Sequence, residues 1–157
     1  MFKAPPATAS RSEREAYVKQ WAALTISIFA LLLAVNGMFG GSNSSKVLNG
    51  TIAANNYWAW FQAKNVRATI FETAGLDDKA AKQRADMEEI SAKAREAEAQ
   101  RDQAKQRSPW FSYAGMALQL AIVLSSAAIL AVMMPLLWAS IAVGGAGLSL
   151  FLYAMVI

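Results

Sequence analysis

The charged side chains leave two gaps that a water-soluble domain of this size would not leave. After Lys19 the next charge is Lys46, 26 uncharged residues later, and after Arg107 the remaining 50 residues carry none. A helix of 50 residues would run about 75 Å, against about 30 Å of bilayer hydrocarbon. The C-terminal gap therefore predicts two membrane crossings and the earlier gap one. The expected fold is all-α: an integral membrane protein with three transmembrane helices and an extramembrane antiparallel helical hairpin.

The first span is expected over 21–40, after a polar tail at 1–20. Pro5 and Pro6 keep the first ten residues extended, and Ser12 with Glu15 offers a capping box, so the helix begins in the tail. A cleaved signal peptide is the rival reading. An apolar run long enough to span favours an uncleaved signal anchor. The second span is expected over 109–133, opened by Ser108-Pro109, a cap followed by the residue favoured at the first helical position. Met134-Pro135 is the expected break, and the third span fills 136–157. Tyr17, Trp21, Trp110, Tyr113, Trp138 and Tyr153 fall where bilayer interfaces attract aromatic rings.

Between the spans, residues 41–107 hold 11 of the 15 cations and nine of the 11 anions. Gly40-Gly41-Ser42-Asn43-Ser44 reads as a break. A helix over 46–74 follows, with Val47, Ala54, Trp58, Phe61 and Ala68 on its apolar side, and Gly75 and Leu76 supply a C-cap. A second helix over 77–107 carries a heptad seam of Ala80, Met87, Ile90, Ala94, Ala97 and Ala104, interrupted by Arg101. Asp78 with Lys82 and Glu89 with Lys93 lie four apart in the better orientation. Two such helices form an extramembrane hairpin about 45 Å long. Its alanine core buries little area, so it needs partners.

Without Cys or His there is no usual zinc or haem site, thiol nucleophile, disulfide or histidine base, and no cofactor is expected. Polar residues within spans are candidates for function, and here Asn36 and Gln119 stand out. Their structural alternative is interhelical hydrogen bonding. No span contains an acid, so a proton-coupled carrier would lack its carrier group. Small residues four apart recur at Ala23 and Ser27, at Ala117, Ala121 and Ser125, at Ser140 and Gly144, and at Gly145 and Ser149. Such spacing lets helix backbones approach. Cations and anions alternate along 79–107, as on a solvated helix face, so the net charge of +4 implies no nucleic acid.

The densest signal is Asn55-Asn56-Tyr57-Trp58-Ala59-Trp60-Phe61-Gln62-Ala63-Lys64. Its four aromatics cannot share one face. Trp58 and Phe61 lie together, whereas Tyr57 and Trp60 point elsewhere. This window and the order of parts resemble a family of small bacterial membrane proteins known only as a domain of unknown function, with an Asn-Asp-x-Trp-x-aromatic-aromatic-Gln-Ala-Lys signature. Asn55, Trp58, Trp60, Phe61, Gln62, Ala63 and Lys64 match it, and Asn56 departs where the family usually has Asp. The resemblance implies a three-span fold and bacterial origin, and it supplies no activity.

Topology signals conflict. Lys3, Arg11, Arg14 and Lys19 before the first span, against Lys46 after it, favour a cytoplasmic N-terminus. Lys93, Arg95, Arg101, Lys105 and Arg107 before the second span favour a cytoplasmic hairpin. First spans usually dominate, so the expectation is a multi-pass protein of the bacterial inner membrane with its hairpin in the periplasm. The expected function is non-enzymatic assembly, as a homo-oligomer or an accessory subunit of a larger membrane complex, with Asn55, Trp58, Trp60, Phe61, Gln62 and Lys64 as contacts. The alternative is a channel or transporter component lined by Gln119 and neutral side chains. An enzyme working through Tyr, Lys and carboxylates is a third class.

Overall fold

The computed structural model describes residues 10–157; the expected extended segment around Pro5 and Pro6, and Lys3 with it, lies outside the described residues. Three helices account for nearly all of them: α1 (Arg11–Thr73), α2 (Asp77–Ala131) and α3 (Met134–Val156). Each is long and apolar enough to cross a membrane. The capping box at the start of α1 is not the expected Ser12–Glu15 pair. Ser10 takes the cap: its amide donates to Glu13 Oε2 at 2.7 Å, and the Glu13 amide donates to Ser10 Oγ at 3.3 Å. Both pairs fit the same pattern, and Glu15 is engaged instead by Lys19 Nζ at 2.6 Å.

Two expected boundaries do not occur. Helix α1 runs through 40–44 without a break, and α2 runs through Ser108-Pro109. Each helical glycine costs about 1 kcal/mol, and Pro109 removes one backbone bond. Polar side chains near the expected break are used across the helix pair instead. Asn36 Nδ2 donates to the Phe111 carbonyl at 3.0 Å, and Asn43 Nδ2 donates to the Ala104 carbonyl at 2.8 Å. The third boundary moves by two residues. Helix α2 ends at Ala131, and Pro135 sits in the first turn of α3 rather than at the break.

The two reversals use one backbone device. After α1, Leu76 N–H donates to Phe71 O at 2.8 Å and Gly75 N–H to Glu72 O at 3.1 Å, with Gly75 at φ +68°. This is a Schellman ending with glycine in the left-handed position, as expected from the sequence. After α2, Met133 N–H donates to Ala128 O at 3.2 Å, but the left-handed residue is Val132, at φ +52°. A β-branched side chain is strained there.

The chain divides into two units. The first comprises 10–41 and 107–157 and is a three-helix bundle. At one end Ala22, Ala128 and Leu137 pack together with Trp21. At the other Phe111, Ala114, Phe151 and Ala154 pack with Trp110, and Phe39 and Tyr153 add edge-on ring contacts. Trp21 to Phe39 on α1 and Trp110 to Ala128 on α2 each span eighteen residues, or about 27 Å of helix. Aromatic residues thus mark both ends of a bundle about as long as a bilayer core is thick. Helix α3 buries Leu137, Ser140, Gly144, Gly147, Phe151 and Ala154, a strict three-four spacing.

The second unit, 42–106, pairs α1 with α2 in antiparallel fashion. Ala80, Met87, Ile90, Ala94, Ala97 and Ala104 are all buried, as the seam predicts, against Ala54 and Ala68. Gly50 explains how Arg101 enters that seam. A Cβ at position 50 would lie 2.9 Å from Arg101 Cβ and 3.2 Å from the Ala97 carbonyl, so only glycine leaves room.

Candidate functional site

The aromatic window lies on α1 within the second unit, and the seam sorts its residues. Ala54 and Ala68 set the buried side. Trp58 and Phe61 fall on that side, half-buried, with their rings edge to face at 5.5 Å between centroids. Trp58 Nε1 donates to Glu98 Oε1 on α2 at 2.9 Å. The indole thus finds the polar partner that a half-buried Trp needs. Lys64 Nζ donates to Asp86 Oδ2 at 2.6 Å, and its side chain is only 15% exposed. That bond holds the Asp86 carboxyl below the usual carboxylate range. Three of the six expected contact residues therefore pack inside the hairpin.

The other three face outward. Asn55 and Gln62 are exposed, and Trp60 is 51% exposed. A tryptophan half in the open on an otherwise paired helix is an unspent contact surface. The window is therefore split between internal staples and an outward set, as the expected divergence of Trp58 and Trp60 requires.

Sequence reasoning missed Asp86 and Glu98. For Asp86 the signal was the turn: Lys64 and Asp86 are equidistant from Gly75, so folding the helices back at that glycine brings them level. It also missed the link between Glu72 and Arg84, whose Nη2 lies 2.6 Å from Glu72 Oε1. Of the two expected four-residue pairs, Glu89 and Lys93 form an ion pair at 2.5 Å, which holds the Lys93 ammonium above its ordinary range.

The intramembrane candidates belong to the first unit, and they part company. Asn36 is buried at 6% exposure, with its amide on the Phe111 carbonyl and its Oδ1 without a hydrogen-bond partner. Gln119 stands on the exposed side of α2, next to buried Leu118. Two of the small-residue pairs do pack within the bundle. Ser140 Oγ donates to the Ala121 carbonyl at 2.8 Å and lies 2.6 Å from Ser125 Oγ. Having one proton, Ser140 receives the other bond, so Ser125 donates to it. The Phe29 ring rests directly on Gly144. Ala23 with Ser27, and Gly145 with Ser149, face outward.

A family model described as a domain of unknown function (DUF4337) matches residues 18–75 and 71–157. No curated protein and no solved structure matches the chain.

Proposed function

The chain belongs to the DUF4337 family, and from that premise we propose that it is a non-enzymatic membrane assembly protein, working as a homo-oligomer or as an accessory subunit of a larger membrane complex. In this reading 21–40 of α1, 109–131 of α2 and 134–156 of α3 are the bilayer-spanning parts, in a bacterial inner membrane. The N-terminus is cytoplasmic, and the hairpin around 55–64 is periplasmic and outside the lipid.

One observation carries the reading: the window holds Trp58 by a hydrogen bond and a ring contact while leaving Trp60 half exposed. A Trp side chain buries about 150–250 Å², so the open half of Trp60 offers a partner roughly 2–3 kcal/mol. Trp58→Ala is expected to lower helix content and thermal stability by circular dichroism. Trp60→Ala is expected to keep helix content and lower the mass seen by native mass spectrometry in mild detergent. If both variants keep wild-type helicity and assembly mass, the reading fails. Topology is tested separately. Cysteines introduced at Ser44 and Gln100 should react with an impermeant maleimide in intact cells, and one at Ser10 should not. The reverse pattern restores a cytoplasmic hairpin.

A further inference from the structure

Within the second unit, α1 has a second apolar side that none of the described residues covers. Leu48, Ile52, Val66 and Ile70 are 60%, 49%, 59% and 57% exposed. Asn55, Ala59 and Gln62, also exposed, complete a row at alternating four- and three-residue steps from Leu48 to Val66, with Ile70 one further turn along. On a helical wheel this row is about 145° around from Ala54, Phe61 and Ala68, the residues packed toward α2. It carries no charge. Residues 42–73 hold four charged side chains, whereas 77–106, of similar length, hold fifteen. The uncharged side is therefore peculiar to α1.

We infer that this row, Leu48 to Ile70 on the outer side of α1, is the surface on which a second copy of the chain packs, α1 against α1 and parallel. The inference rests on the assembly reading above and adds to it a contact surface separate from Trp60, which lies outside the row. Ile52, Ala59 and Val66 recur every seven residues, and so do Leu48, Asn55 and Gln62. A seven-residue repeat keeps one helix side against a parallel neighbour. Asn55 and Gln62 argue for the same chain as that neighbour. Each carboxamide carries both donors and an acceptor, so across a two-fold axis each satisfies its own mate. Acyl chains would leave both unsatisfied. Ala59, between larger branched residues, lets the two backbones approach at the centre.

Charge placement agrees. Arg67 lies on one flank of the row and Lys46 beyond it, while Thr51 and Thr69 form the other flank. A two-fold pairing sets the cationic flank of one copy against the neutral flank of the other, so like charges do not meet. The row is about 33 Å long and about 10 Å wide, roughly 300 Å² per copy. That is below the roughly 800 Å² per partner of a free-standing complex. Two copies tethered in one bilayer meet at high effective concentration, which lets a small interface suffice.

The chain has no cysteine, so single replacements report on position directly. In isolated membranes under mild oxidation, Ala59→Cys is expected to give disulfide-linked dimer at about ten times the yield of Ala99→Cys on the exposed side of α2. Adding Ile52→Glu and Val66→Glu should abolish the Ala59→Cys product while helix content is kept. Equal yields from the two positions would overturn the inference. So would strong quenching by brominated lipid of a fluorophore attached at Ala59→Cys without dimer formation, which would place this side on lipid. Native mass spectrometry of the unmodified chain separates the two levels. An oligomer without the Ala59→Cys crosslink leaves the assembly reading standing and removes this surface, whereas a monomer removes both.

Discussion

Gly144 and Gly145 are adjacent on α3, yet their surroundings are opposite, which makes them a matched pair. An added Cβ at 144 would fall 2.0 Å from Phe29 Cζ and 2.3 and 2.6 Å from its two Cε atoms, whereas one at 145 would meet nothing within 4 Å. Alanine in place of glycine favours the helix by about 1 kcal/mol at either site. At 145 that gain stands alone. At 144 carbon atoms must separate to about 3.5–4.0 Å, so the ring has to retreat by roughly 1.5–2 Å. Phe29 is 7% exposed and packed with Leu118 and Ala121, so it has nowhere to go without moving α1 from α3. Overpacking of this kind costs about 1–3 kcal/mol. Gly144→Ala is thus expected to be less stable than Gly145→Ala by about 1–3 kcal/mol, with Gly145→Ala at or above wild type. Reversible unfolding from mild detergent into SDS, followed by circular dichroism, measures the difference. Phe29→Ala combined with Gly144→Ala should lose less than the sum of the two single losses, because the added methyl enters space the ring vacates. Equal stability of the two glycine variants would refute the packing argument.

Val132→Gly should raise the thermal midpoint, since glycine takes the left-handed backbone at no steric cost; a gain of about 1 kcal/mol is expected in melts. No gain would mean that the φ of +52° carries no strain. Asp86, whose carboxyl Lys64 holds below its ordinary range, contributes to the pH dependence of the second unit, as does Asp102 beside Arg101. A depressed pKa gives stability that is complete above the unfolded value and is lost as pH falls through the folded one. Melts at about pH 6 and about pH 3 should therefore differ more for wild type than for Asp86→Asn. Identical differences would show that the pair adds nothing to stability. Ser140→Ala removes both bonds of the serine relay at once and leaves Ser125 buried without its acceptor. A loss of about 1–2 kcal/mol in the SDS titration is expected, and a neutral result would mean that Ser125 finds another partner.

Periodicity was legible wherever one helix side did one job. The seam Ala80 to Ala104 could be read from the sequence because every inward residue there is apolar or small, and Gly75 announced its own turn. Continuity was legible too, but in a pattern that Pro109 and the glycines obscured. Ile90, Ala97, Ala104, Phe111, Leu118 and Ser125 are all buried and all seven residues apart, so the phase of α2 never resets at the proline. A true helix start would have reset it. On α1, Ala22, Phe29, Asn36 and Asn43 keep the same interval through the supposed break. There the inward residues turn polar, and polarity hid the phase. Which tryptophan of the window faces inward was legible as well, because Trp58 falls with Ala54, Phe61 and Ala68 on the expected apolar side, and that side is the one covered by α2. Its polar partner was not, because Glu98 lies on the other helix, forty residues away in sequence.

The interval of seven along α3 also sets how the helix must wind. An unstrained α-helix needs 7.2 residues for two turns, so a stripe placed every seventh residue drifts by about 20° per repeat. Leu137 to Ala154 covers about two and a half repeats. A straight α3 would carry Ala154 roughly 50° away from the line that Leu137 begins. It stays in contact only by coiling left-handed about its neighbours, with slight underwinding shared along its length. Sequence changes that respect this clock are mild, and those that break it are not. A seven-residue insertion rotates the downstream part of the helix by about 20°, whereas a single inserted residue rotates it by about 100° and presents the lipid-type side of the helix to the core.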